Sequence, residues 1–230
     1  MPFTRPRHWL RWLIGGIVAV AALAVAGPFV YIHFFNGSTP AALTLSPSGG
    51  AAAASGPVAG TWTVGKGSVV GYRVNEVLLG QNTTAVGRST SVTGHLTIAG
   101  TTVTAGGFSV PMDTIRSDKS QRDESFDGRI MNVAKYPTGT FTLTSPVDLA
   151  PVPAAGTVKT YTAHGKLTLH GTTRSVTVTL SAERTAAGIR VAGQIPVLFS
   201  DYNIPNPSFA GFVTTQDHGL LEFLLNFTRS

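Results

Sequence analysis

Cysteine is absent from the 230-residue chain. Disulfide bonds, thiolate catalysis and cysteine-ligated zinc or iron–sulfur sites are therefore excluded, and any folded domain depends on its core. Charged residues are also scarce, at 12% of the chain. Three of the 17 basic residues are Arg5, Arg7 and Arg11, which leaves 14 against 11 acidic residues, a net charge of +3 after residue 35. These charges are scattered without a basic run, so nucleic acid is not an expected partner.

Charge is missing altogether from Leu13 to Ile32. At about 1.5 Å per residue, a helix of this length crosses a hydrocarbon core of roughly 30 Å. Three arginines precede this run, and no Lys or Arg follows it before Lys66, which predicts a transmembrane helix with a cytoplasmic N-terminus and an extracytoplasmic remainder. The sequence Ala24-Val25-Ala26 also suits a signal-peptide cleavage site. The apolar run continues to Phe35, which favours the anchor, and both interpretations export the remainder.

Residues 36–60 consist almost entirely of Gly, Ala, Ser, Pro and Thr. Such a segment buries too little apolar surface to fold, so a flexible linker is predicted. The predicted organisation is a tail and anchor over 1–35, this linker, and a folded domain over 61–230. The domain has about 170 residues, enough for one substantial core.

The domain has the period-two alternation of β-strands, rich in Val, Thr and aromatic residues. About eight such segments are present, and they are separated by turn signals such as His170-Gly171 and Ala187-Gly188. This pattern predicts an antiparallel sheet. One segment reverses its alternation at Gly106-Gly107, which predicts a β-bulge that bends the strand and helps the sheet to close.

Two segments depart from the strand pattern. Residues 117–130 combine charges at i,i+4 spacing with Phe126 and Ile130 on one face, which predicts a short helix capped by Ser117. Residues 200–219 form a long loop that either covers a barrel mouth as a lid or packs onto the domain. The apolar residues of this loop are Ile204, Phe209, Phe212 and Val213.

The inward-facing residues decide whether a barrel of eight strands is filled or holds one small ligand. The inward set includes Gly94, Ala163, Gly165 and Gly193, which either leave a cavity or serve twist and taper. An open interior would be aliphatic and aromatic, so its ligand would be apolar. The residues predicted to contact such a ligand are Tyr72, Val74, Leu96, Phe108, Phe141, Tyr161, Leu167, Leu169, Val178, Ile195 and Phe223.

Several motifs of the domain resemble one known family. They are Gly60 to Val64, Arg122-Asp123, Lys135 to Thr138 followed by Phe141, Gly165 to Arg174, and Ser200 to Ile204. Their order and spacing resemble the YceI-like family, also called the polyisoprenoid-binding or lipid-binding YceI domain. The resemblance extends from Gly60 to the C-terminus, and its most specific motif is the strand–His-Gly-x-Thr-Arg–strand segment.

This resemblance implies a lipocalin-like barrel that holds an isoprenoid or similar lipid chain. The sequence departs from the family pattern at Gly128 to Asn132, where an aromatic pair is usual, and at Tyr202 and Ser175, where Phe and Pro are usual. The expected fold is all-β, an antiparallel eight-stranded lipocalin-like barrel with one short helix, preceded by an N-terminal transmembrane helix.

Signals of chemistry are weak. His95 and His164 fall on the outward parity of their strands, and the segment from Gly107 to Pro111 lacks the last glycine of a nucleophile elbow. No catalytic residue, metal or cofactor is therefore predicted. Arg122, Asp123 and Arg174 either form ion pairs that fix the helix against a turn or bind an anionic lipid head group.

The leading functional hypothesis is a non-enzymatic carrier or reservoir for an isoprenoid or other long-chain lipid. The protein would be a single-pass membrane protein whose N-terminal helix holds an extracytoplasmic barrel near the bilayer. One alternative is an enzyme that acts on a lipid or quinone-like compound in the same pocket. Another is a purely structural barrel with a filled core.

Overall fold

The computed structural model describes residues 12–20, 39–46, 56–78, 80–208 and 213–230. Residues 12–20 form a helix, α1, with exposed side chains. Within the described ranges, no helix is long and apolar enough to cross a membrane. Residues 21–32, the larger part of the predicted transmembrane helix, lie outside those ranges.

The described part of the domain contains twelve strands, β1 to β12, which pair in antiparallel fashion. Their bounds are β1 Gly60–Val64, β2 Val69–Leu78, β3 Gln81–Ser89, β4 Thr93–Ala99, β5 Thr102–Pro111, β6 Thr138–Leu143, β7 Val147–Asp148, β8 Val158–Leu169, β9 Thr172–Thr185, β10 Gly188–Leu198, β11 Val213–Thr215 and β12 His218–Arg229.

Eight of these strands close into a barrel. Their order is β1, β4, β5, β6, β8, β9, β10 and β12, and β12 pairs back to β1. The wall continues at one end through β2, which pairs with β12 on one side and β3 on the other. Residues after β5 reach β3 through a bridge between Arg88 and Arg116. The predicted antiparallel eight-stranded barrel is confirmed.

The hairpin between β8 and β9 forms where the sequence predicts it. His170 and Gly171 have φ angles of 47° and 73°, so both central residues are left-handed. Such a two-residue turn matches the twist of antiparallel strands, and glycine adopts the required angle without steric cost. The turn signal therefore sets the register in which Leu169 pairs with Thr172.

The predicted β-bulge is present, but two residues before Gly106-Gly107. Thr97 pairs with Ala105, and the adjacent Ile98 pairs with Val103, so Thr104 is the additional residue on β5. The extra residue changes which side chains of β5 face inward, as the reversed alternation indicates. The glycines follow the bulge and are not its centre.

A short helix is also present in the charged segment. Helix α2, Ser120–Ser125, continues into one turn of π-helix at Phe126–Ile130. The prediction that Ser117 caps this helix is wrong, because the N-cap position is Lys119. Ser117 instead donates hydrogen bonds from its N–H and hydroxyl to Oδ1 of Asp123, at 2.8 and 2.7 Å.

This helical segment and the loop after β10 together form a roof over one end of the barrel. Buried Phe126 belongs to the helical segment, and buried Ile204 belongs to the loop. The two parts are joined by Arg129, whose guanidinium donates to the carbonyl of Asn206 at 3.5 Å and of Pro207 at 3.2 Å. Phe209 and Phe212 of the predicted loop lie outside the described residues.

The outer surface carries a buried carboxylate. Glu222 on β12 is 0% exposed and pairs with Arg73 at 3.3 Å and Arg88 at 2.9 Å. Residues 39–46 cover this group: the Leu43 N–H donates to Glu222 at 3.3 Å, and the Pro40 carbonyl accepts from Arg73 at 2.7 Å. The predicted flexible linker thus includes residues that contact the barrel.

Candidate functional site

The barrel interior contains a large apolar cavity beneath the roof. This upper cavity has a volume of about 670 Å³. Exposed Gln121, Glu124 and Arg129 belong to its lining, so the upper cavity reaches the surface beside α2. Its apolar walls include Val70, Tyr72, Val74, Leu78, Phe108, Val110, Met112, Ile115, Phe126, Ile130, Met131, Leu167, Leu169, Val197, Phe199, Ile204 and Val213.

A second apolar cavity lies further along the same strands. This lower cavity has a volume of about 120 Å³. Exposed His95 contributes to its rim, as does Tyr161 from β8. Its apolar walls include Leu96, Ile98, Phe108, Phe141, Leu143, Leu180, Val191, Phe223, Leu225 and Phe227.

Three phenylalanine rings lie at the border of the two cavities. The ring of Phe108 stacks on Phe141 with a centroid distance of 5.7 Å and meets Phe223 at 5.1 Å in a tilted arrangement. Phe108 borders both cavities, while Phe141 and Phe223 border the lower one. Aromatic pairs at such distances are favourable beyond the area that they bury. We call these three residues the aromatic partition.

Glycines on facing strands accommodate two rings of the aromatic partition. A Cβ atom at Gly165 would lie 2.4 Å from the Phe141 ring, and one at Gly193 would lie 2.6 Å from Phe223. No side chain fits at these separations without a shift of the ring. Gly165 and Gly193 are therefore small because aromatic rings fill their space, and they do not themselves create a cavity.

The rim of the upper cavity carries an ion-paired arginine. Arg122 of α2 donates to Glu76 of β2 at 3.3 Å and also contacts Asp118. Burial lowers the pKa of Arg122, but Glu76 and Asp118 more than offset it, so the pKa lies above its ordinary value. The guanidinium thus stays charged and ties the roof to the barrel wall.

A tyrosine lies directly below this ion pair. The Tyr72 ring stacks on Phe126 with a centroid distance of 5.1 Å and an interplanar angle of 15°. Space for the ring exists because residue 87 is glycine, where a Cβ would lie 2.3 Å from the ring. Burial raises the pKa of the Tyr72 phenol well above its ordinary value of 10.0, so the group is neutral at physiological pH.

The structure divides the residues predicted to contact a ligand between three places. The upper cavity is bordered by Tyr72, Val74, Leu167 and Leu169, the lower by Leu96, Phe141, Tyr161 and Phe223, and both by Phe108. Val178 and Ile195 are 0% exposed and border neither of the two cavities. Whether any of them contacts a ligand stays a prediction.

The sequence assigns no residue of the roof to the site. It predicts that the loop with Ile204 either covers the barrel mouth as a lid or packs onto the domain, but neither Ile204 nor Phe126 is among the predicted ligand contacts. The available signal was an apolar residue on a charged helix or polar loop, which needs a surface to pack against. Met112 continues the inward alternation of Phe108 and Val110, whereas Ile115 follows β5 outside that alternation, and no strand pattern identifies it.

The structure separates the three residues considered for head-group binding. Arg122 forms the ion pairs described above, whereas the Asp123 carboxylate accepts hydrogen bonds from Ser117. Arg174 lies elsewhere and donates to the Asp201 carbonyl at 2.9 Å. These contacts favour the structural interpretation of Arg122 and leave it no role as an unpaired anion-binding group.

The rim nevertheless offers both donors and acceptors around an apolar space. Lys119, Gln121 and Glu124 border the upper cavity along with Arg122 and Arg129. The described residues contain no group of three His, Cys, Asp or Glu side chains that could hold a metal ion. The arrangement suits a ligand with a long apolar body and a small polar end.

Comparison with solved structures places the barrel among known folds. A polyisoprenoid binding domain from Saccharophagus degradans, implicated in plant cell wall breakdown, aligns with a TM-score of 0.60 at 17% identity, covering 75% of this chain and 99% of that one. BcnA from Burkholderia cenocepacia aligns with a TM-score of 0.52 at 18% identity, covering 67% and 94%. At these identities the likeness shows a shared fold.

Comparison with curated protein sequences finds no match. The sequence model of the YceI-like domain, however, matches residues 62–227. The match includes residues of all eight strands of the closed barrel, together with the roof and the aromatic partition. The chain therefore belongs to the YceI-like family.

Proposed function

We propose that this chain is a non-enzymatic lipid-binding protein that holds one long apolar chain in the upper cavity. The observation that carries the proposal is an apolar space of about 670 Å³ inside a closed barrel. Pockets for small ligands commonly have volumes of about 300–1,000 Å³ and mainly hydrophobic walls. Transfer of an apolar chain from water into such a space is favourable by roughly 25 cal/mol per Å² buried.

An isoprenoid is the first lipid class to test. The fold is shared with a domain described as polyisoprenoid binding, and the walls offer methyl groups and aromatic faces to a branched chain. The polar end would lie at the rim, near Lys119, Gln121 and Glu124. Because Arg122 is already neutralised by Glu76 and Asp118, an uncharged polar end fits better than a strongly anionic one.

The titratable groups of the interior support binding over catalysis. An acid–base catalyst needs a titratable side chain within reach of the reacting atom and a pKa near the working pH. Tyr72 is the phenol of the upper cavity, and burial moves its pKa away from that range. Tyr161 borders the lower cavity, and burial raises its pKa as well. Both side chains are suited to packing or to hydrogen bonding with a head group.

We also propose that the N-terminal segment holds the barrel at a membrane, on the extracytoplasmic side. The uncharged sequence from Leu13 to Ile32 supports this location, as do the exposed apolar side chains of α1, including Ile17 and Val18. Protease added to spheroplasts should release a folded barrel fragment. Protection of the fragment until the membrane is opened would contradict this orientation.

Lipid binding is tested by placing a charge on the wall of the upper cavity. Leu167 is 0% exposed and borders the cavity, so Leu167→Arg places an unpaired cation where the apolar chain would lie. Loss of at least tenfold in affinity for farnesol is expected, measured by isothermal titration with the delipidated full chain. Thr162→Arg is the matched control, because Thr162 is exposed on the outer face of the same strand.

Two results would contradict the proposed function. One is that the folded wild-type protein binds neither farnesol nor a saturated alcohol of similar length. The other is that Leu167→Arg folds and binds as the wild type does, while circular dichroism shows an intact barrel in both variants. Equal loss in Thr162→Arg would mean that added charge, and not the cavity wall, causes the effect.

A further inference from the structure

The two cavities of the barrel are consecutive spaces along one axis. On β5, Val110 borders the upper cavity, as does Met112 directly after the strand, whereas Gly106 and Gly107 border the lower cavity. The same division recurs on β12, where Leu221 borders the upper cavity and Leu225 the lower one. Phe108 lies at the change between the two sets and borders both.

Of the three rings of the aromatic partition, Phe141 and Phe223 pack into spaces left by glycines, whereas Phe108 packs against the other two rings. The rings of Phe141 and Phe223 occupy the spaces left by Gly165 and Gly193 and are thereby held against the barrel wall. Phe108 contacts both of these rings. It is 6% exposed and is the one described lining residue that the two cavities share, so its ring lies between them.

The lower cavity matches the upper one in chemistry. Leu96, Leu143 and Leu180 are among its lining residues, and its volume would add roughly a fifth to that of the upper cavity. An apolar chain that passed the partition would therefore meet a further apolar surface and gain affinity by burial. A chain stopped at the partition gains nothing from additional length, because its remainder stays in water.

We propose that Phe108 sets the longest lipid chain that the barrel binds, by ending the upper cavity at the aromatic partition. This inference rests on the proposed function, because it concerns the same cavity and the same class of ligand. The lower cavity is the space that removal of the Phe108 ring makes available. Phe108 is thus a specificity-determining residue for chain length.

The experiment measures the longest isoprenoid alcohol that the full-length protein retains in a lipid-free detergent. Geraniol, farnesol, geranylgeraniol and geranylfarnesol, each one isoprene unit longer than the last, are offered as an equimolar mixture, and the retained alcohols are quantified by mass spectrometry. The wild type should show a length beyond which retention no longer rises. Phe108→Ala should move this limit to the next longer alcohol and raise its retention at least threefold.

A matched control removes a phenyl ring of a different residue, at the far end of the lower cavity. Phe227 is 5% exposed and borders only the lower of the two cavities, so Phe227→Ala enlarges that cavity but leaves the partition intact. Its limit should equal that of the wild type. Phe108→Leu retains more of the core, and its limit should move in the same direction as that of Phe108→Ala even if the alanine variant does not fold.

The possible results separate this inference from the function on which it rests. A shifted limit in the Phe108 variants, with none in Phe227→Ala, supports the partition. Binding with the same limit in all folded variants overturns the role of Phe108 and leaves lipid binding intact. A shift in Phe227→Ala alone would mean that chains enter from the lower end, which also overturns it. If no variant retains any alcohol, both proposals fail.

Discussion

The buried carboxylate of Glu222 provides a strong test of the structure outside the cavities. Glu222→Gln keeps the size of the side chain but removes the charge that balances Arg73 and Arg88. The two arginine side chains are only 16% and 26% exposed, so water compensates them incompletely. Removal of one partner from a buried ion pair costs about 3–5 kcal/mol, and partial exposure places this case near 3 kcal/mol.

The loss is measured by urea unfolding of the full chain. With an m-value of roughly 2 kcal/mol per molar, a loss of about 3 kcal/mol lowers the unfolding midpoint by about 1.5 M. Hydrogen exchange at the Leu43 amide gives a second readout, since this N–H donates to the Glu222 carboxylate. Faster exchange at Leu43 is expected in Glu222→Gln, because one carboxylate oxygen is replaced by a donor group.

Asp118→Asn is the matched control for this change. Asp118 also pairs with an arginine, Arg122, but its side chain is 50% exposed. Exposed pairs contribute little, so the control should lose no more than about 1 kcal/mol. A Glu222→Gln protein that unfolds at the wild-type urea concentration would refute the reasoning, because the balance of the buried charge would then have no energetic role.

Two further predictions concern the interior. Gly193→Ala should lower the free energy of unfolding by about 1–3 kcal/mol, because its Cβ would lie 2.6 Å from Phe223. Gly128→Ala, whose Cβ would have nothing within 4 Å, should leave the free energy unchanged, and urea unfolding measures both variants. Equal stability of the two variants would contradict the packing of Phe223 against Gly193. Burial raises the pKa of Tyr72, so above about pH 10 the phenol ionises in the unfolded chain but stays protonated in the folded one. The stability that Tyr72 contributes to the fold is therefore complete below about pH 10 and falls above it, by up to about 1.4 kcal/mol per pH unit. Tyr72→Phe should therefore lose less stability between about pH 9 and 11 than the wild type, and identical urea-unfolding profiles would exclude this role.

The barrel itself was predictable because its signals are local. Alternation along β8 identifies Leu167 as inward, and the His170-Gly171 turn fixes the register of the following strand. The sequence left open whether the small inward residues create a cavity or serve twist and taper. In the structure, aromatic rings fill the space at Gly165 and Gly193. Their role depends on rings contributed by other strands, which a single strand pattern does not reveal.

The division of the interior was not predictable from the sequence. Parity places Phe108 inside but does not show that its ring meets Phe223 from β12. Val178 and Ile195 share the inward parity of cavity residues, yet they border neither of the two cavities. Arg122 is paired with Glu76, 46 residues earlier in the chain, and no local spacing rule identifies such a partner.

The contact of segment 39–46 with the barrel escaped prediction for a different reason. Backbone groups of Pro40, Ala41 and Leu43 form its hydrogen bonds, and backbone groups leave no mark on composition. The composition of this segment describes its tendency to fold alone and says little about docking onto an existing surface. Arg73 and Arg88, which donate hydrogen bonds to this segment, appear in the sequence only as scattered charges.

Lipid occupancy of the barrel is measured by extraction of the purified protein. The full chain is purified in mild detergent, extracted with organic solvent and compared by mass spectrometry with an equally extracted Leu167→Arg protein, whose cavity wall carries the added charge. We expect a long-chain lipid, recovered chemically unaltered and near one molecule per wild-type chain, and its loss from the variant. Equal lipid in both folded proteins, or none in the wild type even after incubation with isoprenoid alcohols, would contradict lipid binding in the barrel.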